Sequence, residues 1–309
     1  AARNGKRVVV VIELQARFDE EANIYWSNRF QEVGIKVIHG VPGLKVHSKL
    51  LLITRKEQRS LERYAYIGTG NFQERTARIY CDEGLFTFDK NITSDVAKVF
   101  EFFDKNYKQH IFNHIILSPF STRKHFIYHI NQEIKNAKEG QKALMIIKMN
   151  SLVDEEMMDK LYEASQAGVK VKLIIRGICS IKPGVPGLSE NIEAISIVDK
   201  FLEHSRIFYF YNGGKESVYI SSADWMVRNL DRRIEVTSPV YDPEIKKELK
   251  QMLMIQLSDN TKARILDELQ DNKYVNNDQK ATRAQDAYYY YLKRRCQNSK
   301  RKPQKEEEE

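Results

Sequence analysis

Apolar residues recur along this chain in two rhythms. Short β-branched runs of the strand type alternate with longer stretches in which apolar positions fall three and four apart, as on one helix face. Residues 7–14 predict a strand buried on both faces, because Val8-Val9-Val10-Val11-Ile12 is apolar without alternation. Asp19-Glu20-Glu21 predicts a helix start, with acidic residues at the positive end of the helix dipole, and Gly34 marks its end. Strands are predicted over 36–39, 43–53, 64–67 and 85–88, and the Thr-Arg-Lys-Glu run after Ile53 reads as a turn. A helix over 94–106 carries Val96, Val99, Phe100 and Phe103 on one face. This β-α-β-β-β order implies a mixed sheet covered by helices.

The stretch 115–121, with its Ser-Pro, reads as a domain boundary. Beyond it the rhythm repeats. Helices are predicted over 122–137, 151–167, 243–257, 262–269 and 282–295, with Ser151 as N-cap and Gly168 past the end of the second. Strands are predicted over 143–148, 169–175, 194–198, 207–211, 218–221 and 234–237, with a Pro/Gly loop at 180–188. The organisation expected is residues 1–117 as a first domain, 118–296 as a second and 297–309 as a charged, disordered tail.

The length of 309 residues suits two domains with a core each, and 42% hydrophobic residues is ordinary for a globular protein. A net charge of +8 favours a polyanionic partner without choosing among nucleic acid, nucleotide, acidic lipid and polyphosphate. Cys81, Cys179 and Cys296 are far apart, which gives no disulfide framework or metal spacing and points to a reducing cytoplasm. No signal peptide and no apolar run of membrane-spanning length is present, so at most peripheral membrane association is expected. The chain starts without Met and enters a strand almost at once, so it reads as a fragment. The pairs His110/His114 and His125/His129 have helical i, i+4 spacing but lack a third ligand, and are not read as a metal site. Tyr288 to Tyr291 are read as packing in part against the domain.

The chemistry starts with His47 and Lys49, two apart and therefore on one face of a strand. A neutral imidazole beside an ammonium suits attack on phosphorus. The second half holds Glu203-His204-Ser205-Arg206, again His-Ser-basic. Gly68-Thr69-Gly70-Asn71-Phe72 follows the first histidine and Ser221-Ser222-Ala223-Asp224-Trp225 the second, each a small-residue turn ending in Asx-aromatic. Eleven residues after Asn71 comes Asp82, and eleven after Asp224 comes Glu235. Four matches in register indicate a duplicated domain with a two-part site. Such a site fits phosphoryl transfer, with one histidine attacking and the other moving a proton. Lys49 and Arg206 would clamp equatorial oxygens, the small-residue turns would approach phosphate, and Asp82 and Glu235 would each fix one imidazole.

His-x-Lys followed by a small-residue Asn turn, given twice, resembles the phospholipase D superfamily. The acidic residue expected five past the lysine is absent, since that position is Thr54. A denser resemblance is to bacterial polyphosphate kinases of the long, multi-domain type. It is carried by Glu13-Leu14-Gln15-Ala16-Arg17-Phe18-Asp19-Glu20, residues 43–49, Ile67-Gly68-Thr69-Gly70-Asn71-Phe72, Thr76-Ala77-Arg78-Ile79-Tyr80, Phe201-Leu202-Glu203-His204-Ser205-Arg206 and residues 218–233. The resemblance implies an α/β fold of two phospholipase D-like domains in tandem, each a mixed sheet flanked by helices and related by a pseudo-twofold. It also implies reversible transfer of the ATP γ-phosphate to polyphosphate through a phosphohistidine.

By resemblance His47 matches the phosphorylated nucleophile, and His204 the second histidine near the nucleotide phosphates. Tyr80 and Arg176 match nucleotide-contacting positions, and Asn71 and Arg233 fall in matching stretches as phosphate-binding candidates. Arg17 falls at the family's magnesium–phosphate position. A guanidinium has no lone pair for a metal, so Arg17 is read as a phosphate clamp beside Mg²⁺. The implied partners are ATP, ADP and polyphosphate, with a homo-oligomer in the full-length protein and no specific nucleic acid. The isolated chain is expected to be weak or inactive. The alternatives are a phosphodiesterase or nuclease on the same fold, against which Thr54 counts, and a non-enzymatic polyanion-binding module.

Overall fold

The computed structural model describes residues 1–14 and 20–301, so Arg17 and the rest of 15–19 lie outside the described residues. The first half runs β1 (Val9–Val11), α1 (Glu20–Glu32), β2 (Lys36–Ile38), β3 (Lys45–Val46), β4 (Lys49–Glu57), β5 (Ser60–Gly68), α2 (Glu74–Ala77), β6 (Tyr80–Cys81), β7 (Gly84–Thr87) and α3 (Lys90–Asp104). The second runs β8 (Ile116–Ser118), α4 (Thr122–Lys138), β9 (Leu144–Met149), α5 (Glu155–Gln166), β10 (Lys170–Ile175), β11 (Ile192–Ile197), β12 (Leu202–Glu203), β13 (Arg206–Phe210), β14 (Ser217–Ser221), α6 (Val227–Asp231), β15 (Arg233–Pro239), α7 (Pro243–Leu257), β16 (Ala263–Ile265) and α8 (Ala284–Arg301).

The second half is an α/β layer structure. Its sheet has the order β16-β11-β10-β9-β13-β14-β15, parallel among β9, β10 and β11 and antiparallel elsewhere. Strand periodicity divides its side chains between two cores. Met145, Ile147 and Met149 of β9 pack with Phe126 and Ile130 of α4 and Leu161 of α5. Ile146, Ile207 and Tyr209 face the other way, toward Leu249 and Leu253 of α7 and Ala284 of α8. Covering both faces is why these strands read as near-continuous apolar runs.

The halves are joined by strands rather than by a linker. The expected boundary at 115–121 contains β8, whose Leu117 is fully buried and which pairs antiparallel with β15. Ile234 and Val236 of β15 enter the first half's core, with Ala65 and Ile67 of β5 and Val96, Val99 and Phe103 of α3. Two short parallel pairings cross between halves: β3 with the start of β15, and β6 with β12.

Several expectations are corrected. The first half holds a two-stranded β1-β2 sheet and a three-stranded β4-β5-β7 sheet in place of one mixed sheet. The run at 7–14 is a three-residue strand of intermediate burial, and among the described residues only β2 pairs with it. The run after Ile53 is no turn: β4 continues to Glu57 and forms a hairpin, with Arg55 opposite Glu62, so pairing overrides the turn signal. The expected helix at 262–269 is instead β16, drawn onto the edge of β11 with Ile265 opposite Ile195. The His110 and His114 pair lies outside any helix. Helix α8 continues through Arg301, past the point where the charged tail was expected to begin. Residues 302–309 lie outside the described residues.

Candidate active site

The expected strand at 43–53 is broken at its histidine. After β3 the backbone turns, and the N–H groups of His47 and Ser48 both donate to the Ile234 carbonyl at 2.9 and 3.0 Å. His47 and Lys49 therefore do not share a strand face. Lys49 opens β4 and its ammonium turns back onto the His47 carbonyl. The second copy repeats this. His204 and Ser205 N–H both donate to the Cys81 carbonyl at 3.0 Å, and Arg206 opens β13 with Nη1 on the His204 carbonyl at 2.7 Å.

Each carbonyl acceptor belongs to the residue just before a carboxylate of the other half. His47 Nδ1 consequently meets Glu235 Oε2 at 2.9 Å, and His204 Nδ1 meets Asp82 Oδ1 at 2.7 Å. The turn hydroxyls hold these same oxygens. Thr69 donates to Asp82 Oδ1 at 2.7 Å, and Ser222 donates to Glu235 Oε2. Their hydroxyls also accept from the next backbone N–H, Glu83 at 2.9 Å and Val236 at 3.1 Å. Asn229 Nδ2 donates to Glu235 Oε1 at 2.6 Å. Gly70 is required by close approach: a Cβ there would lie 2.1 Å from Asp82 Oδ2.

Burial drives the imidazole pKa of His47 down, and Lys49 adds to this, against the opposing pull of Glu235. His204 is lowered in the same way, with Asp82 opposing and Arg206 and Lys49 assisting. Burial raises the two carboxyls, but the histidine contacts and nearby cations outweigh it and hold both below the usual range. Each pair is thus a neutral imidazole whose Nδ1–H faces a carboxylate, which leaves the lone pair on Nε2. Burial takes Lys49 down to about 7. Arg206 acts on His47 and Lys49 on His204, so the two copies share one cationic site.

The Nε2 atoms differ. Among the described residues, that of His47 has no hydrogen-bond partner, and its side chain is 25% exposed. That of His204 accepts from Arg206 Nη1 at 3.3 Å. Arg206 is buried and held by Asp224, Nε to Oδ1 at 3.2 Å and Nη2 to Oδ2 at 3.3 Å, so it is not a free clamp as expected.

Tyr80 sets its ring 4.9 Å from the His204 ring, centroid to centroid. Arg176 donates from Nε to Asn150 Oδ1 at 3.0 Å, and burial foremost lowers its pKa, with Arg206 adding. Arg233 is half-buried, its guanidinium without a hydrogen bond or ion pair among the described residues, and burial lowers its pKa too. Asn71 is exposed, whereas its counterpart Asp224 is buried. Sequence reasoning missed Lys148, buried behind the His204 turn with its ammonium on Ser205 Oγ at 2.6 Å and Glu203 at 2.9 Å. A lysine in the apolar run of β9 was the available signal. It also missed Asn150, whose N–H donates to Asp224 Oδ1 at 2.9 Å.

Magnesium is the one implied metal. Among the described residues no three His, Cys, Asp or Glu side chains gather to hold an ion, and Asp82, Glu235 and Asp224 are already committed. No helix among them is long and apolar enough to cross a membrane.

Fold and site together define a duplicated α/β protein whose carboxylate-held histidines share the neighbouring cations Lys49 and Arg206, an arrangement suited to a phosphate group. The chain belongs to the polyphosphate kinase family: the model for polyphosphate kinase C-terminal domain 1 matches residues 1–109 and that for C-terminal domain 2 matches 115–285. Polyphosphate kinase of Vibrio vulnificus strain YJ016 is 54% identical over 89% of this chain and 39% of its own length. That of Escherichia coli K12 is 50% identical over 89% of this chain and 40% of its own length. The crystal structure of polyphosphate kinase from Porphyromonas gingivalis aligns with 96% of this chain and 46% of its own, with a TM-score of 0.90 and 43% identity. Phosphatidylserine synthase of Haemophilus influenzae, 9% identical, covers 94% of this chain and 82% of its own with a TM-score of 0.54, a likeness of fold alone. The chain spans about two fifths of the curated relatives it matches.

Proposed function

We propose that the protein carrying this chain transfers the γ-phosphate of ATP reversibly to inorganic polyphosphate, through a phosphohistidine at His47. The observation that carries the reading is the His47 ring, with Nδ1 on the Glu235 carboxylate at 2.9 Å and an open Nε2; burial, which lowers its pKa, favours the neutral form. Its Nε2 lone pair attacks the γ-phosphorus, the N–P bond forms, and the bond to the β-phosphate oxygen breaks as ADP leaves. The terminal phosphate of polyphosphate then attacks the phosphoryl group and restores the imidazole.

Lys49, Arg176 and Arg233 are the cations with donors to spare for equatorial oxygens, and Arg17 is kept as a phosphate clamp from the resemblance. Tyr80 lines the nucleotide side, and Asn71 faces the open turn. His204 contacts phosphate and accepts a proton from a protonated acceptor terminus, which reaches Nε2 in exchange for the long Arg206 contact. Glu235 and Asp82 fix the two tautomers. Magnesium enters as a counter-ion of the nucleotide phosphates, and no step is assigned to it. The reading includes the two domains at 1–117 and 118–296, a homo-oligomer, and a cytoplasmic location with at most peripheral membrane contact. It also includes a weak or inactive isolated chain, because relatives extend well beyond it.

The test is incubation of the full-length protein with γ-labelled ATP and Mg²⁺. Label should be acid-labile and base-stable, lost in His47→Gln and kept in His39→Gln. A His47→Gln protein that still labels and still makes polyphosphate sinks the proposal.

A further inference from the structure

The two halves build their histidine turns alike down to single backbone hydrogen bonds, yet present different Nε2 atoms. The difference lies in the basic residue two positions on. Lys49 and Arg206 both reach back to the carbonyl of their own histidine. An ammonium ends there, at one point. A guanidinium is a planar fork, and the same Nη1 of Arg206 that meets the His204 carbonyl at 2.7 Å also meets His204 Nε2 at 3.3 Å. Asp224 locks the fork through its other nitrogens at 3.2 and 3.3 Å, and is itself held by the Asn150 N–H at 2.9 Å. Asn71 stands at the matching place in the first copy, exposed, so no carboxylate holds Lys49 in this way.

We propose that Arg206, anchored by Asp224, is the specificity device that confines phosphorylation to His47 by covering the Nε2 lone pair of His204. Forming an N–P bond at His204 requires a phosphorus with its three oxygens to approach that lone pair in line. The guanidinium stands in the path, and its movement would break two contacts to a buried carboxylate. A proton donor needs less clearance: one oxygen at hydrogen-bond distance exchanges for the 3.3 Å Arg206 contact, without the in-line room for three equatorial oxygens that an N–P bond demands, so proton transfer at His204 remains open. In the first copy the lysine leaves Nε2 bare. The asymmetry of a duplicated site would then come from one Lys-to-Arg and one Asn-to-Asp difference, not from the histidines or their carboxylates.

The inference rests on the phosphohistidine reading, and the experiment separates the two. In the full-length protein, Arg206→Lys removes the fork and Asp224→Asn releases its anchor. Single-turnover labelling by γ-labelled ATP, followed by peptide mapping, gives the occupied histidine. In Arg206→Lys, the His204 Nε2 lone pair attacks the γ-phosphorus, ADP leaves, and Nδ1–H stays on Asp82. The wild type should label His47 alone, and His47→Gln should not label. His47→Gln/Arg206→Lys should recover label at the His204 peptide by at least ten-fold over His47→Gln. An unlabelled wild type defeats the phosphohistidine reading itself. A wild type labelled at His47, with the double variant still blank and the Arg206→Lys protein labelled only at His47, overturns the inference.

A second readout covers variants that bind nucleotide poorly. The ¹⁵N resonance of His204 Nε2, observed without nucleotide, should move toward that of an unbonded imidazole nitrogen in both Arg206→Lys and Asp224→Asn. An Nε2 resonance unchanged in both folded variants also overturns it.

Discussion

His47 and Glu235 lie 188 residues apart in the chain, and their side chains meet at 2.9 Å. The contact is an exchange. Each half supplies its own histidine turn and its own hydroxyl–carboxylate pair, but the histidine of one half is held by the carboxylate of the other. Neither half can complete a site alone, which ties any chemistry to the correct docking of both.

Glu235→Gln tests that exchange. A buried amide cannot fix the Nδ1–H tautomer as a carboxylate does, so the rate of labelling at His47 should fall on the order of 10²–10⁴-fold. The pH dependence carries the sign. Glu235 is what holds the His47 pKa up against burial. Its removal should move the acid limb of the labelling profile to lower pH while the plateau drops. A limb that moves to higher pH would contradict the assigned electrostatics.

Lys49 sits at about 7 in the free protein because burial disfavours its charge. A bound phosphate restores the charged form. Phosphate-ligand binding at pH 8 should therefore take up protons. Calorimetry in two buffers of different ionisation enthalpy measures this directly. Lys49→Gln should abolish the uptake and weaken binding about ten-fold. Equal enthalpies in both buffers for the wild type would refute the role.

Gly70→Ala puts a Cβ against Asp82, whereas the matching Ala223 already carries one. The expected cost is roughly 1–3 kcal/mol of stability from overpacking. The expected functional effect is larger at His204 than at His47. With Asp82 displaced, the group that raises the His204 pKa is withdrawn, so NMR titration should show that pKa falling further below 6.5. The His47 titration should not change.

His129 is buried and His125 half-buried beside it, among Phe126, Phe210 and Tyr219, and burial takes each down to about 4. Their folded pKa lies below the unfolded one. Stability is thus fully present above pH 6.5 and is lost as pH falls toward 4, because only the unfolded chain takes up the protons. Urea unfolding at pH 7 and pH 5 should differ by about 1–2 kcal/mol per histidine. His129→Gln should flatten its share of that slope. No difference between the two pH values would mean these rings titrate normally.

Most of the chemistry was legible in the residues. The histidine, basic residue, small-residue turn and carboxylate recur in the same order in each half, and two of their spacings, two residues from His to the basic residue and eleven from Asx to the acid, are identical. Helices α3, α5 and α7 were legible from apolar periodicity, but the expected N-cap Ser151 is corrected: α5 starts at Glu155, where the Asp154 side chain accepts from the Met157 N–H, and α3 starts at Lys90 with Asp89 as its cap. The segment at 262–269 was not: its helical pattern yielded to an open edge on β11, a pairing set by distant residues. The hairpin beyond Ile53 likewise depended on a partner strand supplying the cross-strand contacts.

By itself, the sequence determined that the histidines, their basic neighbours, the small-residue turns and the carboxylates come twice; Lys148 and Asn150 it left out. It could not determine who meets whom. That Glu235 serves His47 and Asp82 serves His204 follows from β3 pairing with β15 and β12 with β6 across the halves. That His47 has a free Nε2 while His204 does not follows from the reach of a guanidinium fixed by a buried carboxylate. Both are contacts of a few ångströms between residues remote in the chain or set by side-chain geometry, and only the packed tertiary structure brings such atoms within hydrogen-bonding range.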